Sequence, residues 1–315
     1  MRNRSKVLVT GGAGFIGSHV VDRLLAEDLE VVIIDSLLGG RLENIAKHRN
    51  DKRLRFVRGD IRDAQVVKDS VEDAEAIIHH AAMISVTQSI ENPVLTNEVN
   101  VGGTMNLLKA SVDSGVKRFI YASSSAVYGN IETVPIKEDC LPRPASPYGV
   151  SKLAAEDYVK VFGDTYGLET VCLRYFNVYG PRQSYNEYSG VITQFINRTL
   201  KNLPLEIFGD GNQTRDFVHV HDVAEANILS LTTEEVVGET INIGSGVATT
   251  ISQLANTLLE ITNKKHLKLV YSEPRKGDIE HSVADISKAR KKLHYNPKIS
   301  LRDGLEAFIK ASDTL

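Results

Sequence analysis

Short apolar runs alternate with longer stretches of helical periodicity through the first half of the chain. Lys6 to Thr10 is one such run. It leads into a glycine-rich turn, after which Ile16, Val20 and Leu24 recur at helical spacing, so the order is strand, turn, helix. The same pattern predicts strands at Glu30 to Ile34, Leu54 to Arg58, Ala76 to His80, Phe119 to Ala122 and Val171 to Arg174. Asn92 to Ser114 reads as a long helix interrupted by Gly102-Gly103, and a second helix starts near Tyr148. Six apolar strands separated by helical patterns predict an α/β fold with a doubly wound parallel sheet, whose ligands gather at the carboxyl ends of the strands.

After residue 177 the alternation loosens. Helices are predicted at Val191 to Leu200, Asp222 to Leu231 and Ser252 to Ile261, with two more at the end, and strands at Ile241 to Ile243 and Leu267 to Tyr271. We expect a large domain over residues 1–176 and a smaller substrate-covering domain over 177–315. A segment near 216–243 is expected to return to the large unit, with the strand near 217 to 220 rejoining the large sheet.

Composition narrows the function classes. With 42% hydrophobic and 24% charged residues and a formal net charge of -3, nothing draws the 315-residue chain to nucleic acid. No run of about 18 apolar residues marks a membrane span. The apolar run behind the basic start is only Val7-Leu8-Val9, too short for a secretory signal. Two cysteines, Cys140 and Cys172, form no disulfide framework and fit a cytoplasmic location.

Candidate chemistry sits at the predicted strand ends. Gly11, Gly14 and Gly17 allow a tight turn and close approach of a pyrophosphate to the N–H groups that open a helix, so the unit is of Rossmann type. Asp35 falls about 20 residues on, where a carboxylate recognises a ribose diol, and an acid there favours NAD over NADP. Asp60 follows the third strand and is placed for an adenine amino group. Ala81 and Ala82 follow the fourth and are small enough to lie against a dinucleotide. Tyr148 and Lys152 are four residues apart on a predicted helix and share a face. An ammonium there is expected to lower the phenol from its usual value of about 10, each unit being worth about 1.4 kcal/mol. His79-His80 and His219 with His221 lack a third ligand at a recognisable spacing, so no metal site is expected.

Gly11 to Gly17, Asp35, Gly59-Asp60, His80-Ala81-Ala82, Ser123 to Ser125, Tyr148 with Lys152, Arg174 to Asn177 and Arg215-Asp216 occur in an order that resembles the extended short-chain dehydrogenase/reductase family. More narrowly, they resemble its nucleotide-sugar 4-epimerases, of which UDP-glucose 4-epimerase is the type. The resemblance covers almost the whole chain. It implies that Tyr148 is the catalytic base, that Lys152 holds the nicotinamide ribose and lowers the phenol, and that Ser124 binds the sugar oxygen and relays its proton. It implies an NAD site that also includes Phe15, Ile16, Ile61, Asn100 and Tyr175.

On the substrate side, the resemblance makes Asn177, Arg215 and Arg275 ligands of the sugar or diphosphate, and Asp278 a ligand of the uridine ribose. Ser282 matches a position that sets the room around the second carbon of the sugar. A small residue there goes with tolerance of N-acetyl groups. Dehydratases and decarboxylases of the family carry a glutamate, often after an aspartate, immediately before Val-Tyr-Gly; this chain has Ser125 and Ala126 there. The expected activity is therefore 4-epimerisation of a UDP-hexose through a 4-keto sugar. Alternatives are an epimerase of UDP-glucuronate or dTDP-hexose, a nucleotide-sugar reductase or dehydratase, and a non-enzymatic nucleotide-binding protein. The resemblance also implies a homodimer that pairs the helices near 92–114 and 147–166.

Overall fold

The computed structural model describes residues 5–185, 190–274 and 279–312. In chain order its strands are β1 (Lys6–Thr10), β2 (Glu30–Asp35), β3 (Leu54–Arg58), β4 (Ala76–His79), β5 (Arg118–Ser124), β6 (Glu169–Tyr175) and β7 (Asn177–Tyr179). They continue as β8 (Leu205–Phe208), β9 (Thr214–Arg215), β10 (Phe217–His219), β11 (Thr240–Ile243), β12 (Thr249–Thr250), β13 (Leu269–Ser272) and β14 (His281–Ser282). The α-helices are α1 (Phe15–Ala26), α2 (Ala64–Val71), α3 (Val86–Glu91), α4 (Pro93–Asn97), α5 (Gly103–Asp113) and α6 (Pro147–Tyr166). Then come α7 (Val191–Leu200), α8 (Val220–Thr232), α9 (Ile251–Ile261), α10 (Ser287–Lys292) and α11 (Leu301–Ser312).

Seven strands form one parallel sheet in the order β3-β2-β1-β4-β5-β6-β11. Successive side chains of a strand face opposite sides, so the central strands feed two cores. Val7, Val9 and Ile33 pack with α1 and α8 on one face, while Leu8, Ile34 and Ile77 pack with α2, α5 and α6 on the other. This is why these strands read as continuous apolar runs rather than alternating ones. A third cluster joins α7, α9 and α11 to β8 and carries Phe195, Ile207, Leu254 and Phe308.

Two expectations change. The strand expected to rejoin the sheet, Phe217–His219, pairs instead with β7, and β11 takes the edge beside β6. Helix α8 does return, lying against α1 in the first core. Nor do Gly102-Gly103 break their helix: both keep right-handed helical torsions, and the register shifts through a π turn over Glu98–Gly102. Gly103 serves packing instead, since a Cβ there would lie 2.4 Å from Ile61 Cδ1.

Candidate active site

Tyr148 owes its position to the way α6 starts. Ser146 caps the helix, its hydroxyl accepting from Gly149 N at 3.1 Å, and Pro147 supplies the helical φ at the first position. A Cβ on Gly149 would meet Ala126 O at 2.7 Å and Pro144 Cβ at 2.9 Å. Glycine therefore lets the helix start rest on the turn that follows β5. Ser124 closes β5 and caps that turn, accepting from Ala126 N at 3.2 Å, and its hydroxyl lies near enough to the Tyr148 phenol to pull it down. The Tyr148 phenol and the Ser124 hydroxyl are thus brought into one site although 24 residues separate them in sequence.

The electrostatics depart from the expected pair. Burial pushes the Tyr148 phenol up and the nearby Ser124 hydroxyl pulls it down. Lys152 is only 4% exposed, with its ammonium 4.7 Å from the centre of the Tyr121 ring. Burial lowers it to about 7, against upward pulls from Glu156 and Cys172. Desolvation thus disfavours the charged form of both groups, where spacing predicted that one would acidify the other.

Below it lies a polar network that sequence reasoning missed. Glu156, fully buried on α6, accepts from Arg174 at 2.6 and 3.0 Å, from Ser123 Oγ at 2.7 Å and from Lys160 at 2.7 Å. The Arg174 guanidinium lies 4.7 Å over the Tyr128 ring, and Tyr128 donates to Asn242 Oδ1 at 2.7 Å. The available signal was the spacing of Glu156, two turns beyond Tyr148 on the same helix face. The network fixes β5, β6, α6 and β11 against one another.

On the other side of the sheet's carboxyl edge, Gly11 takes φ +69°, and a Cβ there would come 2.9 Å from Ala81 N. A Cβ on Gly17 would lie 2.2 Å from Gly11 O. The turn therefore requires glycine at both places. No side chain caps the start of α1, so the N–H groups of Phe15, Ile16 and Gly17 face a cradle of the kind that holds a pyrophosphate. Asp35 closes β2 with Oδ2 on Ala13 N at 3.0 Å and Oδ1 on Leu37 N at 2.8 Å. Burial pushes this carboxyl up while those backbone donors pull it down. Each oxygen retains acceptor capacity, so the residues fit a dinucleotide.

The other members of the expected cofactor set are placed as follows. Asp60 forks onto Arg62 at 2.7 Å and 3.1 Å, and Ile61 is buried against Gly103. The Asn100 amide is committed to Met83 N and O and to Ser151 Oγ, at 2.7, 3.0 and 2.9 Å, and it braces the loop containing Ala81 and Ala82 against α6. Behind that loop, Ala81 N donates to Thr10 Oγ1, which meets His79 Nδ1 at 2.6 Å; His79 Nε2 lies 2.9 Å from Thr104 Oγ1. His79 is thus a saturated strut. Among the described residues, no group of three His, Cys, Asp or Glu is placed to hold a metal ion. Tyr175 is buried at the end of β6, donates to Asn227 Oδ1 at 3.0 Å and stacks on His80.

Of the expected substrate residues, Arg215 and Ser282 come together as register partners on β9 and β14. Ser282 is buried, and Arg215 donates to Thr214 O at 2.8 Å. Asn177 is exposed at the start of β7, and its N donates to Asp216 O. Asp216 ties these pieces to the sheet: its buried carboxylate takes Ser245 N, Ser245 Oγ, Gly246 N and Ala284 N at 2.6 to 3.1 Å. Arg275 and Asp278 lie outside the described residues.

A parallel sheet of this order, with its reactive side chains at the carboxyl edge and glycines at the first strand–helix turn, defines the dinucleotide-binding α/β class. A family profile described as GDP-mannose 4,6 dehydratase matches residues 8–308. The chain belongs to the extended short-chain dehydrogenase/reductase family, in the branch of nucleotide-sugar epimerases and dehydratases. It is 37% identical to a UDP-glucose 4-epimerase of Mycolicibacterium smegmatis over 302 residues, 95% of this chain and 96% of that protein. A crystal structure of Thermus thermophilus UDP-glucose 4-epimerase in complex with NAD superposes with a TM-score of 0.88 at 40% identity, covering 97% of this chain and 98% of that one. UDP-N-acetylglucosamine 4-epimerase of Methanobrevibacter ruminantium, in complex with UDP-N-acetylmuramic acid, gives 0.94 at 38% identity over 99% of both chains.

Proposed function

We propose that the chain is an NAD-dependent 4-epimerase of UDP-hexoses, acting on UDP-glucose and UDP-galactose and also on their N-acetylhexosamine forms. The observation that supports this reading is the Ser124 hydroxyl at the end of β5, near the Tyr148 phenol and beside a turn, Ser125–Val127, that holds no carboxylate. Eliminating water or handling a carboxylate calls for a further acid. Oxidising and re-reducing one carbon does not.

NAD+ supplies hydride acceptance and return at C4 of the sugar. Tyr148 takes the proton of the 4-hydroxyl, with Ser124 as the relay to the sugar oxygen, and gives it back after the 4-keto sugar has turned its other face. Lys152 binds the ribose hydroxyls of the cofactor; an acceptor within reach of its ammonium favours the charged form and strengthens its pull on the phenol. Arg215 clamps the diphosphate, where its planar fork donates paired hydrogen bonds. Arg275 and Asp278 are assigned to the diphosphate and the uridine ribose. Ser282, small and adjacent to Arg215, leaves room for an N-acetyl group.

A homodimer through α4 and α6 is supported by exposed Val94, Val150 and Val161, at 71%, 53% and 53%. Unpaired Cys140 and Cys172 support a reducing compartment, as expected for a cytoplasmic enzyme, and no helix among the described residues is long and apolar enough to cross a membrane.

Product analysis with UDP-galactose, UDP-N-acetylglucosamine, UDP-glucuronate and dTDP-glucose tests the reading. Interconversion of the first two with their C4 epimers is expected. Release of NADH or of a dehydrated sugar overturns it, and turnover of UDP-glucuronate or dTDP-glucose alone reassigns the substrate.

A further inference from the structure

His80 takes no part in the proposed proton transfer, yet one buried atom of its ring lacks a partner. Its Nε2 lies 3.1 Å from the Tyr175 hydroxyl, and the two rings stack with centroids 5.9 Å apart. Its Nδ1 is buried with no hydrogen-bond partner. Which nitrogen carries the proton follows from the chain of bonds behind it. Asn227 Nδ2 donates to Val223 O at 2.8 Å, which turns Asn227 Oδ1 toward Tyr175. The Tyr175 hydroxyl gives its proton to that oxygen at 3.0 Å, so toward His80 it can only accept. Nε2 must then be the donor. Burial, reinforced by the nearby Lys152 ammonium, keeps the imidazole neutral, with a pKa of about 3. Nδ1 is therefore a bare lone pair, and leaving it unmatched in a buried place is costly.

The backbone of His80 abuts the glycine turn, for a Cβ on Gly11 would come 3.1 Å from its carbonyl carbon. The ring stacks on Tyr175, with the Lys152 ammonium near enough to act on it, while the backbone that carries it borders that turn. We propose that His80 is a cofactor-binding residue whose Nδ1 accepts a hydrogen bond from an O–H or N–H donor on the nicotinamide half of the dinucleotide. This rests on the cofactor lying along the carboxyl edge as assigned above. The relay from Val223 O through Asn227 and Tyr175 holds the ring in the accepting tautomer, so Asn227 is a positioning residue at one remove.

The test uses uniformly 15N-labelled protein, compared with NAD+ stripped and with NAD+ saturating, and the His80 ring and Ala81 amide signals identified by their loss or shift in variants. Nδ1 is expected to resonate as an unprotonated nitrogen in both states and to shift on NAD+ binding. ADP-ribose in place of NAD+ separates the donors: the same shift points to a ribose hydroxyl, and its absence to the carboxamide. His80→Gln keeps a donor toward Tyr175 but no acceptor at the Nδ1 position, and is expected to weaken NAD+ binding about three- to tenfold. His80→Asn places an oxygen close to where Nδ1 stood and is expected to weaken it less, with UDP affinity unchanged in both. If NAD+ moves the Ala81 amide but not Nδ1, as when a water satisfies the nitrogen in both states, the inference falls alone. If NAD+ moves neither, the cofactor assignment falls with it.

Discussion

One turn apart on α6, Lys152 and Glu156 are both buried, at 4% and 0% exposure, and they are built to opposite rules. Glu156 has a bidentate guanidinium, a hydroxyl and an ammonium around it. Burial alone would raise its carboxyl, but Arg174 and Lys160 outweigh it and hold the group below the usual carboxylate range. Lys152 has the face of an aromatic ring, and burial wins: its ammonium falls to about 7. A buried charge that is fully matched is scaffold, because any change in its protonation disrupts several bonds at once. One that is left undermatched stays adjustable, and its charge can be set by whatever binds beside it. The first kind of group locks the sheet to α6. The second sits a turn from Tyr148, where an adjustable charge would serve the proposed proton transfer.

The comparison breaks most visibly at the reactive end. Tyr148→Phe removes a phenol whose assigned partner is Ser124, so turnover of UDP-galactose is expected to fall by about 10²- to 10⁴-fold with UDP affinity unchanged. Near-normal turnover, measured by product analysis, would show that the base lies elsewhere. At the scaffold end, Glu156→Ala leaves Arg174 buried and unmatched, and the expected loss is about 3–5 kcal/mol in urea unfolding. Replacing both by Met is expected to recover much of that loss, since a matched apolar pair carries no desolvation cost. A double variant as unstable as the single one would mean that Ser123 and Lys160 depend on the carboxylate more than Arg174 does.

The two residues also predict different pH signatures. With a depressed carboxyl, Glu156 adds stability that is present above the ordinary carboxylate range and is lost as pH falls through its folded value. Glu156→Gln should flatten that acid limb. Lys152 is depressed in the folded protein, which therefore binds fewer protons than the unfolded chain between about pH 7 and the usual lysine range near 10.4. Stability of the NAD+-stripped protein should rise with pH across that window, and Lys152→Met should remove the rise. The smallest effect is expected at Asp216→Asn, where an amide replaces a carboxylate that accepts from four donors. A loss of about 1–3 kcal/mol, with a raised KM for the UDP-sugar, is the expected outcome. Loss of stability with no change in KM would detach Asp216 from the substrate side.

Much of the cofactor half was legible because its requirements are local. Gly11 needs a positive φ within one turn, Asp35 follows directly from a strand that ends there, and apolar runs fed by both faces of a sheet read as strands without further help. Tyr148 and Lys152 were legible by spacing. Ser124 became meaningful only through family order. Nothing near it in sequence shows that Gly149 seats α6 against Ala126 and so carries the phenol to that hydroxyl. The partners of Glu156 lie on β5 and β6 and were invisible for the same reason. The strand at 217–219 was assigned to the large sheet because an apolar run states that it will pair without stating with what.

What the sequence by itself determined is the set of conformations that neighbouring residues impose: strands alternating with helices, the glycine turn, and a tyrosine and a lysine one turn apart. Tertiary structure alone decided what each charge sees. Spacing predicted that Lys152 would acidify Tyr148, yet burial acts on both groups, raising the phenol and emptying the ammonium of much of its charge. What pulls the phenol down instead is Ser124, a hydroxyl at the end of β5. Desolvation depends on every atom packed around a group, and those atoms come from distant parts of the chain.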